Sequence, residues 1–278
     1  MNAALPGLAG GLSALFIGPP GTAKSTLLGS CVEVEGIEKA LLLAPTAREV
    51  NSFKYAKYRD KIPYEVFQDF GWHPTLGQFG AGAFTKLYER VVSLYKDETY
   101  DAILLDTYDG AVSLAAHELL APERAAMPRD LRDARSYYGS LKYRLEDFTK
   151  ALTNLASPSL ARPKHVFVAV HAQPSKEDDK QKTSDSVAKG IEYLGDVQPM
   201  VEGGHRHNIA GEFTLVGFTG LRHEVVKVGT KMERQARFVT QIDADPERHA
   251  KAAIIPRINK VVDSSMVEIF RVIKEASV

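Results

Sequence analysis

The chain has 278 residues, 44% hydrophobic and 25% charged, which is ordinary for a soluble globular protein and enough to bury one large α/β core. Lys plus Arg and Asp plus Glu are both 35, so bulk charge excludes a strong pull toward nucleic acid or anionic membrane, and any such contact must come from a local patch. The single cysteine, Cys31, excludes an intramolecular disulfide and suits a reducing, cytoplasmic compartment. No apolar run reaches the roughly 18 residues of a membrane helix, so no membrane contact is expected. The apolar N-terminal stretch has no Lys or Arg before it and leads straight into the first motif, unlike a cleaved leader.

The apolar run Leu12 to Ile17 is followed by Gly18-Pro19-Pro20-Gly21-Thr22-Ala23-Lys24-Ser25-Thr26 and then Leu27-Leu28. That order predicts a buried strand, a Gly-rich turn and a helix start, the arrangement that holds a nucleotide triphosphate. Glycines let backbone N–H groups converge on phosphate oxygens with no Cβ in the way. Lys24 would reach the β- and γ-phosphates, and the Ser25 hydroxyl would bind Mg²⁺. The pattern G-x-x-x-x-G-K-[ST] asks for Gly where Ala23 stands. Alanine is small and a good helix former, so a helix over about Lys24 to Val34 is still expected.

Lys39 to Ala44 reads as a second buried strand, ending at Pro45-Thr46-Ala47-Arg48-Glu49. Parallel sheets place ligands at the carboxyl ends of their strands, so this segment belongs beside the phosphates. Glu49 is a candidate to orient an attacking water, and equally a helix N-terminal charge. A helix is expected from about Ala83 to Lys96, with Phe84, Leu87, Tyr88 and Val91 at helical spacing. Tyr100-Asp101-Ala102-Ile103-Leu104-Leu105-Asp106-Thr107 is an apolar strand ending in Asp, the second half of a P-loop site, where Asp106 would hold Mg²⁺.

Ala111 to Arg135 reads as a helix and a charged linker, its alternating signs those of a solvated face. A long helix from about Ser136 to Leu155 carries the stripe Leu141, Leu145, Phe148 and Leu152. Lys164 to His171 is the next buried strand, with His171 and Gln173 at its carboxyl end. His171 could sense a γ-phosphate or simply bond to a backbone carbonyl. Ser175 to Lys189 has no apolar periodicity and reads as a mobile loop. Short strands follow at Phe213 to Phe218, Glu224 to Val228, Arg237 to Ile242 and Ala253 to Ile258, separated by turn signals at Gly220, Gly229 and Asp245-Pro246. Between Arg222 and Lys260 nine Lys/Arg stand against five Asp/Glu, the best candidate for a phosphate-facing patch. A helix from Ser264, a candidate N-cap, to Ala276 closes the chain. His205 and His207 have no companion ligand cluster, so a zinc site is disfavoured.

In this order the phosphate loop, Leu43 to Glu49, Tyr100 to Asp106 and Val166 to His171 resemble RecA-like P-loop ATPases. More narrowly, the chain looks like phage-encoded RecA-core proteins grouped with single-strand annealing recombinases of the Sak type. The GPPGT-x-KS loop, the "YD-apolar-D" strand, Tyr137-Tyr138-Gly139, the strand ending in His171 and the late Ala250-Lys251 carry that resemblance. It spans about Leu12 to Lys260. Ala23 departs from it, and so does the lack of an Arg two places after Lys251.

The resemblance implies one RecA-like α/β domain over 1–278. Its mostly parallel sheet would be flanked by helices (core about 12–220), with antiparallel strands and a terminal helix beyond. It implies ATP and Mg²⁺, hydrolysis coupled to single-stranded DNA in a homo-oligomer or filament, and a single-strand DNA-binding protein as a further partner. The catalytic set would be Lys24, Glu49, Asp106, His171 and Lys251. Lys251 would complete a neighbouring subunit's site, with Arg237 and Arg257 as substitutes, and loops after Asp106 and His171 would touch DNA. Three rivals stay open: an AAA+ remodelling ATPase, which usually has Glu where Thr107 stands; a small-molecule P-loop kinase; and a module that binds nucleotide without hydrolysis.

Overall fold

Ala14 to Ile17 are wholly buried, an environment that only a strand covered on both faces provides. The computed structural model describes residues 10–54, 57–58, 60–69, 72–73, 78–79, 81–124, 134–174, 197–201, 205–228, 231–242, 251–252 and 261–276. Its strands begin with β1 (Ser13–Gly18), β2 (Ala40–Ala44) and β3 (Tyr64–Val66), then a small separate pair, β4 (Trp72–His73) and β5 (Gln78–Phe79). They continue with β6 (Ala102–Asp106), β7 (His165–Pro174), β8 (Val197–Pro199), β9 (Leu215–Val228), β10 (Lys231–Gln241), β11 (Lys251–Ala252) and β12 (Val261–Asp263). The helices are α1 (Lys24–Gly29), α2 (Ala47–Lys54), α3 (Ala83–Ser93), α4 (Tyr108–Arg124), α5 (Ala134–Asn154), the single turn α6 (His205–Asn208) and α7 (Met266–Ala276).

The main sheet runs β12-β10-β9-β1-β7-β6-β2-β3. From β3 to β9 every neighbouring pair is parallel, whereas β10, β11 and β12 add antiparallel ladders at the C-terminal side. This is the expected α/β class: a mostly parallel central sheet with antiparallel C-terminal strands and flanking helices.

Alternation along the strands divides the core into two layers. Leu15, Ile17, Leu43, Leu105 and Val168 face α3, α4 and α5, where Phe84, Leu87, Tyr108, Leu145 and Phe148 meet them. Phe16, Leu42, Leu104 and Phe167 face the other way, onto Leu27 and Leu28 of α1 and Met266, Ile269 and Phe270 of α7. Phe270 meets Phe167 edge to face at 6.2 Å. The first Asp of the β6 segment, Asp101, is a structural latch. Its carboxylate accepts from the Glu38 and Lys39 N–H groups at 3.0 Å and from Arg162 at 2.6 Å, at the end of the sheet away from the phosphate loop.

Four boundaries differ from expectation. The first helix stops at Gly29 and tightens into a 3₁₀ turn over Ser30–Glu33, where the Ser30 hydroxyl donates back to the Leu27 carbonyl. Gly220 is not a turn: it sits within β9 opposite Val239, so two expected strands are one. Ser264 is not the cap of α7; its hydroxyl bonds to Thr240, and the helix starts at Met266, whose N–H donates to Ser30 Oγ. Asp106 is followed not by a loop but by α4, which begins two residues later. The expected strand at 253–258, the loop at 175–189, most of the charged linker after Arg124, and Arg257 lie outside the described residues.

Candidate active site

The carboxyl ends of β1, β2, β6 and β7 open onto one cavity of about 790 Å³. Its walls are the phosphate loop, the β2–α2 corner, the β6–α4 corner and the end of β7, with Met200 and Phe238 at its margin. This is where a parallel sheet collects its ligands. Because β7 lies between β1 and β6, His171 stands between the phosphate loop and the Asp106 strand, in register with Gly18.

Gly18 and Gly21 meet two separate needs of the loop. A Cβ on Gly18 would lie 2.0 Å from Thr219 Oγ1, so β9 packs against it too closely for any side chain. Gly21 has φ +81 with open space around it, so its requirement is conformational. The loop is tied to β9 by a 2.9 Å bond between the Thr22 and Thr219 hydroxyls, and Thr22 also donates to the Pro19 carbonyl. Ala23 is left-handed, at φ 58 and ψ 28, and forms the N-cap of α1 rather than its first helical residue. Helix propensity is therefore the wrong measure for this position: the substitution costs backbone strain.

Lys24 is buried, and its ammonium donates to the Gly18 and Pro19 carbonyls at 2.7 Å each. Burial lowers its pKa to about 8, while the charges of Asp106 and Asp109 pull it back up. Ser25 Oγ donates to Asp106 Oδ2 at 2.5 Å, which brings the two expected Mg²⁺ ligands together. Burial raises the Asp106 carboxyl; the Ser25 bond and the Lys24 charge oppose this. A hydroxyl and a carboxylate side by side at the root of a phosphate loop are hard oxygen donors, the set that Mg²⁺ prefers. The residues fit the ion, and Ser25 and Asp106 are the ones that would hold it.

Glu49 lies in the first turn of α2 and on the cavity wall. Thr46-Ala47-Arg48-Glu49 makes the carboxylate half of a capping box at α2, with Glu49 Oε2 accepting from the Thr46 N–H at 2.7 Å. Its Oε1 accepts from Thr107 Oγ1 at 3.0 Å, beside Asp106. Burial pushes the Glu49 carboxyl up to about 7; the Thr46 N–H opposes this and the charge of Asp106 adds to it. A buried carboxylate poised near neutrality at a cavity wall can accept a proton or orient a water.

Asp109, in the first turn of α4, escaped the sequence reading. Its Oδ1 accepts from the His171 N–H at 3.0 Å and its Oδ2 lies 2.8 Å from His171 Nδ1. Burial would raise the Asp109 carboxyl, but the bonds from His171 outweigh it and hold the group low. Its only sequence signal is an acid three places after Asp106. Gly110, which also lines the cavity, and Thr219, which ties the loop to β9, carry no sequence signal of their own, whereas Arg48 lines the cavity as its segment predicts. Lys251 opens β11 opposite Val216, and Arg237 lies in β10 opposite Arg222 with its side chain exposed near Glu224. His205 is a core histidine, its Nε2 bonded to Tyr108 at 2.9 Å and near Thr149 at 3.2 Å.

Comparison with solved structures finds similarity to the flagellar accessory protein FlaH from Methanocaldococcus jannaschii (10% identity, 92% of this chain and 86% of that one, TM-score 0.37). It also finds the RadB recombinase (13%, 88% and 91%, 0.38) and the type III secretion ATPase EscN of enteropathogenic E. coli (18%, 70% and 44%, 0.34). No curated protein gives a significant match. A family profile described as AAA domain matches residues 11–253. Since that match runs from before β1 to the end of β11 and holds the whole cavity floor, the chain belongs to the AAA-domain family and is a P-loop ATPase.

Proposed function

We propose that this ATPase hydrolyses ATP in response to single-stranded DNA, working as a homo-oligomer. The observation that carries the hydrolytic part is the Glu49 carboxylate, bonded to Thr107 beside the Ser25–Asp106 pair. In this reading the phosphate loop cradles the β-phosphate, and Lys24 exchanges its bonds to the Gly18 and Pro19 carbonyls for phosphoryl oxygens. Glu49 orients the attacking water and takes its proton. Bound at Ser25 and Asp106, Mg²⁺ would neutralise charge on the phosphates. A cation from a neighbouring subunit, Lys251 or Arg237, completes the site.

The DNA part is supported by the family resemblance and by the local excess of Lys and Arg between Arg222 and Lys260. The β9–β10 hairpin holds part of that excess, with Arg222, Arg237 and the half-exposed Phe238 on neighbouring positions. The test is the ATPase rate with and without single-stranded DNA, beside Lys24→Ala. Lys24→Ala should abolish turnover, and DNA should raise the wild-type rate severalfold, less so at high salt. A wild-type rate indifferent to DNA would remove the DNA reading and leave the ATPase.

A further inference from the structure

We infer that Asp109 is the positioning residue for His171: it holds the imidazole by Nδ1 and so presents Nε2 to the γ-phosphate end of the cavity. The inference rests on the ATPase reading for what the cavity holds, but the contact itself does not. One carboxylate grips the same residue twice, the main chain through Oδ1 at 3.0 Å and the ring through Oδ2 at 2.8 Å. With both ends of one side chain fixed, the ring cannot swing about its own backbone. A carboxylate accepts only, so Nδ1 carries a proton, and Nε2 is the nitrogen left for the cavity that His171 lines.

The placement comes from the fold. Asp109 sits in the first turn of α4, packed against β7, and β7 runs between the phosphate-loop strand and the Asp106 strand. In this tautomer Nε2 accepts, so it would meet a phosphate oxygen, itself an acceptor, through a shared water that donates to both. A γ-phosphate would supply that oxygen; a diphosphate would not. Asp109 thus lets His171 distinguish tri- from diphosphate.

The test combines ring NMR with kinetics. The full chain is labelled with ¹⁵N-histidine, and His171→Gln assigns the signal. In wild type the ring should show a single Nδ1–H tautomer, with its Nε2 signal shifting on addition of a non-hydrolysable ATP analogue but not of ADP. In Asp109→Ala both tautomers should appear, and the analogue should no longer shift Nε2 selectively. Asp109→Ala should lower Tm, because it strands the His171 N–H, and should lower kcat by about tenfold with KM and ADP affinity nearly unchanged; the kcat loss should not deepen in a His171→Gln background. An unchanged tautomer in Asp109→Ala, or additive losses in the double variant, would overturn the assignment. Should wild type show no turnover, the ATPase reading fails, while the tautomer comparison still decides the role of Asp109.

Discussion

At the scale of single residues, the site carries two departures from the simplest P-loop, and each has a measurable consequence. Ala23 occupies a left-handed backbone at φ 58, where an L-residue costs about 1–2 kcal/mol. Ala23→Gly removes that strain but returns about 0.4–1 kcal/mol of unfolded-state entropy. The net expectation is a gain of about 0.5–1 kcal/mol in denaturant unfolding; a loss of stability would show that this backbone is not strained. The second departure is the pairing of Glu49 with Thr107, where AAA+ proteins usually carry an acid after the Asp. Burial, opposed by the Thr46 N–H, raises Glu49 to about 7. With Glu49 as the proposed base, turnover should rise as pH climbs through about 7 and fall again above about 8, where the Lys24 ammonium is lost. Glu49→Gln keeps the capping bond to Thr46 but cannot ionise. It should bind nucleotide normally, lose about a hundredfold or more in kcat, and lose the acidic limb of the pH profile with it. A Gln variant that keeps that limb would assign it to another group.

Elements meet at this site through close approaches that only small residues permit. A Cβ on Gly110 would lie 2.7 Å from Glu49 Oε1 and 2.9 Å from Pro45 Cβ. The carboxylate could swing aside only by giving up Thr46 or Thr107, and the proline ring cannot move at all without moving the β2–α2 corner. Gly110→Ala should therefore cost about 1–3 kcal/mol of stability and depress turnover well beyond that loss, while ADP affinity changes little. Equal losses in ADP binding and turnover would place the damage in the phosphate loop instead. The contact also shows what the sequence could not display. The strands β1, β2, β6 and β7 are continuous apolar runs, and α3, α5 and α7 carry regular stripes, so local pattern alone located them. The same pattern reading placed Lys24, Ser25 and Asp106 near one another. In Asp106-Thr107-Tyr108-Asp109-Gly110, however, a polar and Gly-containing stretch resembles a loop, and only the tertiary approach of Pro45 and Glu49 explains the glycine within a helix. Asp109 stayed hidden because its partner, His171, is 62 residues away and is brought close only by the insertion of β7 between β1 and β6. Gly220 misled in the opposite direction, since a glycine inside a long paired strand looks like a turn.

For the whole molecule, the joint most exposed to conditions is the buried contact of α4, α5 and α6 behind the site. Tyr108 shares hydrogen bonds with Thr149 at 2.6 Å and with His205 Nε2 at 2.9 Å, while His205 Nδ1 has no hydrogen-bond partner among the described residues. Burial lowers His205 from 6.5 to about 4, so the folded protein holds the ring neutral. Below 6.5 the unfolded chain takes up a proton that the folded chain refuses. The stability this group contributes is therefore full above 6.5 and declines as pH falls toward 4, by about 3 kcal/mol at the lower end. Tyr108 opens α4 two residues after Asp106, so this joint adjoins the β6–α4 corner of the cavity. His205→Gln should be less stable than wild type at pH 7 by about 1–2 kcal/mol, the cost of a weakened buried bond. The gap should close or invert near pH 4.5, since the variant has nothing to protonate there. Unfolding free energies of both proteins between pH 7.5 and 4.5 measure this directly. Parallel curves would mean that His205 titrates alike in the folded and unfolded chain, and that acid sensitivity arises from the carboxylates of the site instead.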